Sequence, residues 1–345
     1  MAYSTINKSS AHFNTKLYTG NGSTQSITGV GFQPDFTWIK RRDGTYNHYV
    51  FDAPRTAGKY LKTNQTSAET DGSADHLTAW TSDGFNLGGT AGVNLDTATF
   101  ASWNWKANGA GSANTDGDIT STVSVNTTAG FSIATYTGNN SNAQTIGHGL
   151  GVAPKMYIIK RKDSTSAWGM YHASLGANKY LQLEATNSVT TDTGIWNNTA
   201  PTSTVLSLGN AGYFNNASGG TYVCYAFAEK QGYSKFGGYT GNGNADGTFV
   251  YTGFRPAFVI QKCSSAVFAW EMRDNKRPGY NLSSGTIYPN SNEAEGTGEG
   301  IDILSNGFKC RASGGGQNGS GNTYIYMAFA EAPFVNSKGV PCNAR

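Results

Sequence analysis

Apolar residues recur along this chain with a period of two, in short runs bounded by glycine, asparagine and proline. That is the pattern of strands joined by tight turns. The run Phe36-Thr-Trp-Ile-Lys40 puts Phe36 and Trp38 on one side and Thr37 and Ile39 on the other. Two later runs do the same, with Met156 and Ile158 against Tyr157 and Ile159, and Phe258 and Ile260 against Val259 and Gln261. The first side is large and apolar each time, so it is expected to form the core of a module. The second side varies. A later run, Thr99 to Trp105, recurs as Thr221 to Phe227 and Thr323 to Phe329. It points Trp103 and Trp105, Tyr225 and Phe227, and Met327 and Phe329 the same way. Its opposite side is polar in the first copy (Ser102, Asn104) and small and apolar in the others (Cys224, Ala226; Tyr326, Ala328). The first copy is therefore expected to show that side to water, with Asn104 more accessible than Ala226.

These runs belong to one phrase written three times. Tyr18-Thr-Gly-Asn-Gly22 returns as Tyr136-Thr-Gly-Asn-Asn140 and Tyr239-Thr-Gly-Asn-Gly243. Each is followed by a Gly-x-x-Pro turn, ending at Pro34, Pro154 and Pro256, and then by a strand ending in Lys40, Lys160 or Lys262. Self-similarity of this kind decides an architecture before any other signal. The expected fold is all-β, with three tandem sandwich-like modules at 17–108, 131–231 and 235–334. An N-terminal arm (1–16), a linker (109–130) whose first half is flexible by composition and whose second half alternates like an edge strand, and a polar tail (335–345) complete the chain. Only Lys230 to Lys235 joins the last two modules, so those two are expected to pack as a pair.

Composition supports this class. The chain has 45 glycines among 345 residues and only 14% charged residues, poor material for helices. The net charge of +3 is too small to suggest a nucleic-acid binder. The start has no basic segment followed by an apolar one, and no run is apolar enough to span a membrane, so neither a signal peptide nor a membrane span is expected. Four cysteines lack metal-ligand spacing. Cys224 reads as core, and spacing leaves open whether Cys263 and Cys310 meet.

Candidate chemistry is sparse. No zinc-protease, nucleophile-elbow, P-loop or dinucleotide motif is present, so no catalytic residue, metal or cofactor is assigned and the chain is not read as an enzyme. Asp43, Asp52, Glu293, Glu295 and Glu299 are the acids available for glycan cleavage. Asp52 aligns with Asp274 but with His172 in the second copy, so none recurs in all three, and the five read as solvated loop acids. His12, His48, His76, His148 and His172 are unpaired, and His48 occupies the place of Trp168 and Trp270, which is packing. Trp80 aligns with Ile303 and reads as core. Aromatic rings are the natural sugar platform. Trp196, without an aromatic counterpart and in a loop-like stretch, is the first candidate for an exposed ligand contact, and Tyr46 the second.

The phrases Ile27-Thr-Gly-Val-Gly-Phe-Gln-Pro-Asp35, His148-Gly-Leu-Gly-Val-Ala-Pro-Lys155, Asn215-Asn-Ala-Ser-Gly-Gly-Thr-Tyr222 and Phe227-Ala-Glu229 resemble tandem domains in structural, tail-fibre-like virion proteins of tailed bacteriophages, marine ones especially. The resemblance implies a virion protein made in the host cytoplasm, in contact with other virion proteins and, in a tail-fibre or host-recognition role, with host surface glycans. Particle symmetry then implies a homo-oligomer. A capsid-decorating role and, from another class, a glycan depolymerase are the alternatives.

Overall fold

The computed structural model describes residues 4–209, 212–278 and 281–342, with the backbone alone at 212 and 213. Residues 1–3 of the arm and 343–345 of the tail lie outside the described range. The fold is all-β: strands hold 44% of the chain and helices 3%, so the helical turns at Ala91–Asn94 and Gly212–Asn215 act only as connectors. No helix among the described residues is long and apolar enough to cross a membrane.

Three four-stranded antiparallel arrays share one strand order. The first runs Phe13–Thr19, Thr99–Trp105, Phe36–Arg41, His48–Asp52. The second runs Phe131–Thr137, Thr221–Phe227, Met156–Arg161, Trp168–His172, and the third Ser234–Thr240, Thr323–Pro333, Phe254–Cys263, Trp270–Asp274. Each array is backed by a smaller sheet. Strands Gln25–Ile27, Gly84–Leu87 and Leu77–Thr81 back the first, Gln144–Gly147 and Val205–Leu208 the second, and four strands between Phe249 and Cys310 the third.

The two faces of each array play the reverse of their expected roles. Phe36, Trp38, Trp103 and Trp105 do not form a private core. They join Phe131, Met156, Tyr225, Phe227, Phe258, Met327 and Phe329 in one continuous cluster where all three arrays meet. The other face packs inside each unit: Ile39 and Phe100 with Phe85 and Leu87, Tyr157 and Ile159 with Leu206 and Leu208, Val259 and Tyr326 with Ile301 and Phe308. An array covered on both faces needs apolar residues at consecutive positions, which is why these strands read as near-continuous apolar runs.

The polar face of the first unit is buried too. Asn104 is 0% exposed and Ala226 2%, so the expected difference is absent. Asn104 is accommodated because its amide is saturated: Nδ2 donates to Asn14 O (3.1 Å) and Oδ1 accepts from Thr37 Oγ1 (3.0 Å). A buried polar group with its partners in place costs little.

The contacts between units form a ring. Lys160 Nζ donates to Thr66 O of the first unit (3.0 Å), Lys262 Nζ to Thr186 O of the second (3.2 Å), and Lys40 Nζ to Asn292 O of the third (3.4 Å). Backbone bonds repeat the cycle: Glu69 N to Lys162 O (2.7 Å), Val189 N to Ser264 O (2.8 Å), Glu295 N to Arg42 O (2.7 Å). The second and third units are therefore not a separate pair, despite their short connection.

Two flanking segments also belong to the fold. In the stretch 109–130 the second half is a strand, as its alternation predicts, and the first half is not the flexible segment that its composition suggests. Ser112–Asn114 pairs with Ser121–Asn126, and the latter with Phe131–Thr137, extending the second array. Ile119 and Val123 are buried in its core, so alternation outweighs the glycine-rich composition. The arm is docked on its own chain. Phe13 lies in the shared cluster against Trp105, Phe329 and Phe258, at 4.7, 5.2 and 5.5 Å between ring centres.

Candidate functional site

Equivalent positions in the three units carry different side chains where the array faces its small sheet. The register pairs Ile39 with Tyr49, Ile159 with Gly169, and Gln261 with Glu271. Two residues on, Phe51 and Tyr171 correspond to Arg273. In the first unit Tyr49 packs on Tyr60 and His76. In the second, Trp196 covers the position, edge-on to Tyr157 at 4.8 Å and to Tyr171 at 6.3 Å. The third unit has Gln261, Glu271 and Arg273 there instead. An open cleft of about 670 Å³ lies over Glu271 and Arg273.

The floor of the cleft is a buried ion pair. Glu271 is 7% exposed and Arg273 1%. Arg273 Nη2 lies 2.8 Å from Glu271 Oε2 and donates to Glu299 O at 2.5 Å. Gln261 Nε2 also approaches Glu271 Oε2, at 3.4 Å. Arg273 Nε and Gln261 Oε1 carry no hydrogen bond. A buried pair of charges persists only when its geometry offsets the loss of water.

Glycine shapes the wall. A Cβ on Gly316 would stand 2.4 Å from Glu271 Oε1, and one on Gly315 would stand 2.1 Å from the Phe268 ring. The run Gly314-Gly-Gly316 thus lets a carboxylate and an aromatic face approach the backbone directly. Phe268 is anchored from the neighbouring unit, its N–H donating to Thr186 O at 3.0 Å. Tyr288 lines the cleft, and Glu293 and Glu299 stand exposed at its edge. Neither of these two carboxylates has an ion pair among the described residues.

The residues singled out from sequence fall as follows. Trp196 is not an exposed contact: it is 0% exposed, and its Nε1 donates to Lys179 O at 3.0 Å. It lacks a counterpart because it fills a volume that the other units treat differently. Tyr46 is half-buried, with the Arg41 guanidinium 5.0 Å over its ring. It lies six residues past Lys40, as Phe268 lies six past Lys262 (46−40, 268−262), so it is the first unit's equivalent of a cleft aromatic. Trp80 packs against the first unit's core.

Among the five acids, Asp52 is a correction, being buried rather than solvated. It takes Arg55 Nε at 2.5 Å and Tyr225 Oη at 2.6 Å. Although burial opposes it, the charge of Arg55 is reinforced by Asp52, Tyr225 and Glu69, which raise its pKa. Asp43 binds Arg41 and the Thr99 N–H (2.6 and 2.7 Å), and Glu295 binds Arg42 (2.5 Å). Only Glu293 and Glu299 of the five line the cleft.

The buried histidines are packing groups. His48 Nδ1 accepts from Trp38 Nε1, His148 Nδ1 from Leu150 N and His172 Nδ1 from Ser174 N. Burial lowers all three pKa values, that of His172 to about 4. Cys263 and Cys310 are free, and burial pushes the Cys310 thiol up to about 11. Among the described residues no three metal-ligand side chains converge.

Sequence reading names Gln261 only as part of a varying face, and Glu271 and Arg273 not at all, although the three carry a signal. Each is polar on a strand face that is apolar or small in both other copies.

A family model described as a domain of unknown function, DUF7483, matches residues 8–333, and the chain belongs to that family. No curated protein matches the sequence.

Proposed function

We propose that this member of the family is a glycan-binding structural protein of a tailed-phage particle, a tail-fibre or host-recognition component, and that the third unit's cleft is its saccharide site. The observation that carries the binding reading is the pairing of aromatic faces, Phe268 and Tyr288, with a fixed carboxylate, Glu271, in an open cleft of about 670 Å³. A sugar ring offers one apolar C–H face to an aromatic plane and hydroxyl donors to a carboxylate. The cleft's size suits a small-molecule ligand. The virion assignment is supported by the repeat phrases quoted above and by a rigid ring of β units. Single-site affinity would be multiplied by copy number on the particle.

The test is direct. Purified protein should bind host cells and a subset of immobilised glycans, with Phe268→Ala or Glu271→Gln abolishing both. Negative-stain images of particles labelled against this chain should place it on the tail. Label on capsids lacking tails would favour the decorating role instead. Release of reducing sugar from host polysaccharide would favour the depolymerase.

A further inference from the structure

The charge pattern of the cleft narrows its ligand, given the saccharide reading above. We infer that it takes an uncharged glycan segment and rejects acidic ones. Arg273 is the one cation among the residues lining the cleft, against the carboxylates of Glu271, Glu293 and Glu299. Its Nη2 is already committed, to Glu271 Oε2 at 2.8 Å and to the Glu299 carbonyl at 2.5 Å. Being 1% exposed, it sits beneath the surface and positions Glu271 more than it presents charge. The charged groups left to meet a ligand are therefore acceptors: Glu271 Oε1 over Gly316, and the exposed carboxylates of Glu293 and Glu299.

Hydroxyl groups supply the donors such a site needs, in charge-assisted hydrogen bonds. The carboxylate of a uronate or sialate, or a phosphate group, supplies no donor of its own and brings like charge toward two exposed carboxylates, in a cleft whose walls concentrate their field. A capturing site for acidic glycans would show the opposite arrangement, with a free arginine fork facing outward. Here the arginine is 1% exposed, beneath the floor, with its Nη2 held by Glu271.

The experiment uses the full-length protein and two immobilised panels, neutral polysaccharides (dextran, mannan, galactan) and acidic ones (alginate, polygalacturonate), at low and high salt. We expect a neutral member to bind, with acidic members weaker by at least on the order of tenfold at low salt. High salt should narrow the gap. Phe268→Ala should abolish binding. The surface variant Glu293→Gln/Glu299→Lys, which leaves Phe268, Glu271 and Arg273 in place, should let acidic members in. Acidic polysaccharide bound as tightly as neutral at low salt, and lost in Phe268→Ala, would overturn this inference while leaving the glycan-binding role intact. No binding to either panel would remove that role as well. Neutral binding untouched by Phe268→Ala would move the site away from the cleft.

Discussion

Replacing Trp105 by alanine tests whether the three arrays stand on one core. Trp105 is 1% exposed and touches rings from every unit. Phe13 and Phe36 of the first lie at 4.7 and 5.3 Å, Phe131 and Phe227 of the second at 6.5 and 6.4 Å, and Phe258 and Phe329 of the third at 5.7 Å each. Truncating a buried Trp costs about 3–5 kcal/mol, and the centre of a rigid junction can collapse little, so we expect about 4 kcal/mol. That is a large part of a typical stability of roughly 5–15 kcal/mol. At a urea slope of about 3 kcal/mol/M or more for a chain this long, the midpoint falls by about 1 M.

The assay is equilibrium urea unfolding followed by both far-ultraviolet circular dichroism and fluorescence. A shared core predicts one transition, moved as a whole, with both probes coincident. Phe227→Ala and Phe329→Ala should lower the same midpoint, although they belong to other units. The reasoning is refuted if Trp105→Ala splits the curve, so that about a third of the signal is lost early while the rest unfolds where it did before. Independent units would behave that way.

Other perturbations follow from single contacts. Lys160→Met removes an ammonium bonded to Thr66 O and Ser166 O at 3.0 and 2.8 Å; losing charged hydrogen bonds should cost about 2 kcal/mol, offset in part by the burial that lowers this lysine's pKa to about 8. Thermal unfolding would check it, and an unchanged midpoint would show that the lysine ring adds nothing. Arg55→Met strands the Asp52 carboxylate, 0% exposed, and should cost about 3–5 kcal/mol, whereas Arg55→Met with Asp52→Leu should recover much of that. His172 titrates near 4 in the fold and 6.5 when free, because burial disfavours the charged ring. Its contribution is therefore complete above pH 6.5 and is lost as pH falls toward 4, about 3 kcal/mol in all. Urea midpoints measured across that window should drop steeply for the wild type and less so for His172→Gln, and equal slopes would contradict the assignment.

Much of the strand layout was legible because period-two runs and glycine turns are local signals. Which face of a strand meets which neighbour is not local. Phe36 and Trp38 announce a buried face equally well whether the partner is their own small sheet or another unit, and the pattern holds nothing to separate the two. Asn104 misled for a related reason. A polar residue on a strand normally marks solvent, but here Thr37 and Asn14 complete its hydrogen bonds in the interior. In the segment 109–130 the alternation of Ser121–Asn126 marks a strand, while the glycine-rich composition before it hides the pairing of Ser112–Asn114. Trp196 stands out by its lack of a counterpart, but that signal does not separate an exposed contact from the buried plug that it is. The cleft could have been found by reading down the aligned copies, where Gln261, Glu271 and Arg273 replace apolar or small residues together.

That substitution makes physical sense only in a ring. A sandwich of about 100 residues that replaced part of its own core with Gln261, Glu271 and Arg273 would lose apolar burial and bear the desolvation of two charges, several kcal/mol of a small total. In this chain the third unit keeps its inner face, with Phe258, Ile260, Met327 and Phe329 in the common cluster. It is also clamped on both sides, by Lys262 to the second unit and through Asn292 to the first. Stability held in common at the centre lets one outer layer become polar while the other two, closed by Trp196 and by Tyr49 with Tyr60, remain packed. Three arrays on one cluster thus supply a redundant core, and the unit that gave up part of its own is the one whose outer face carries the cleft of about 670 Å³.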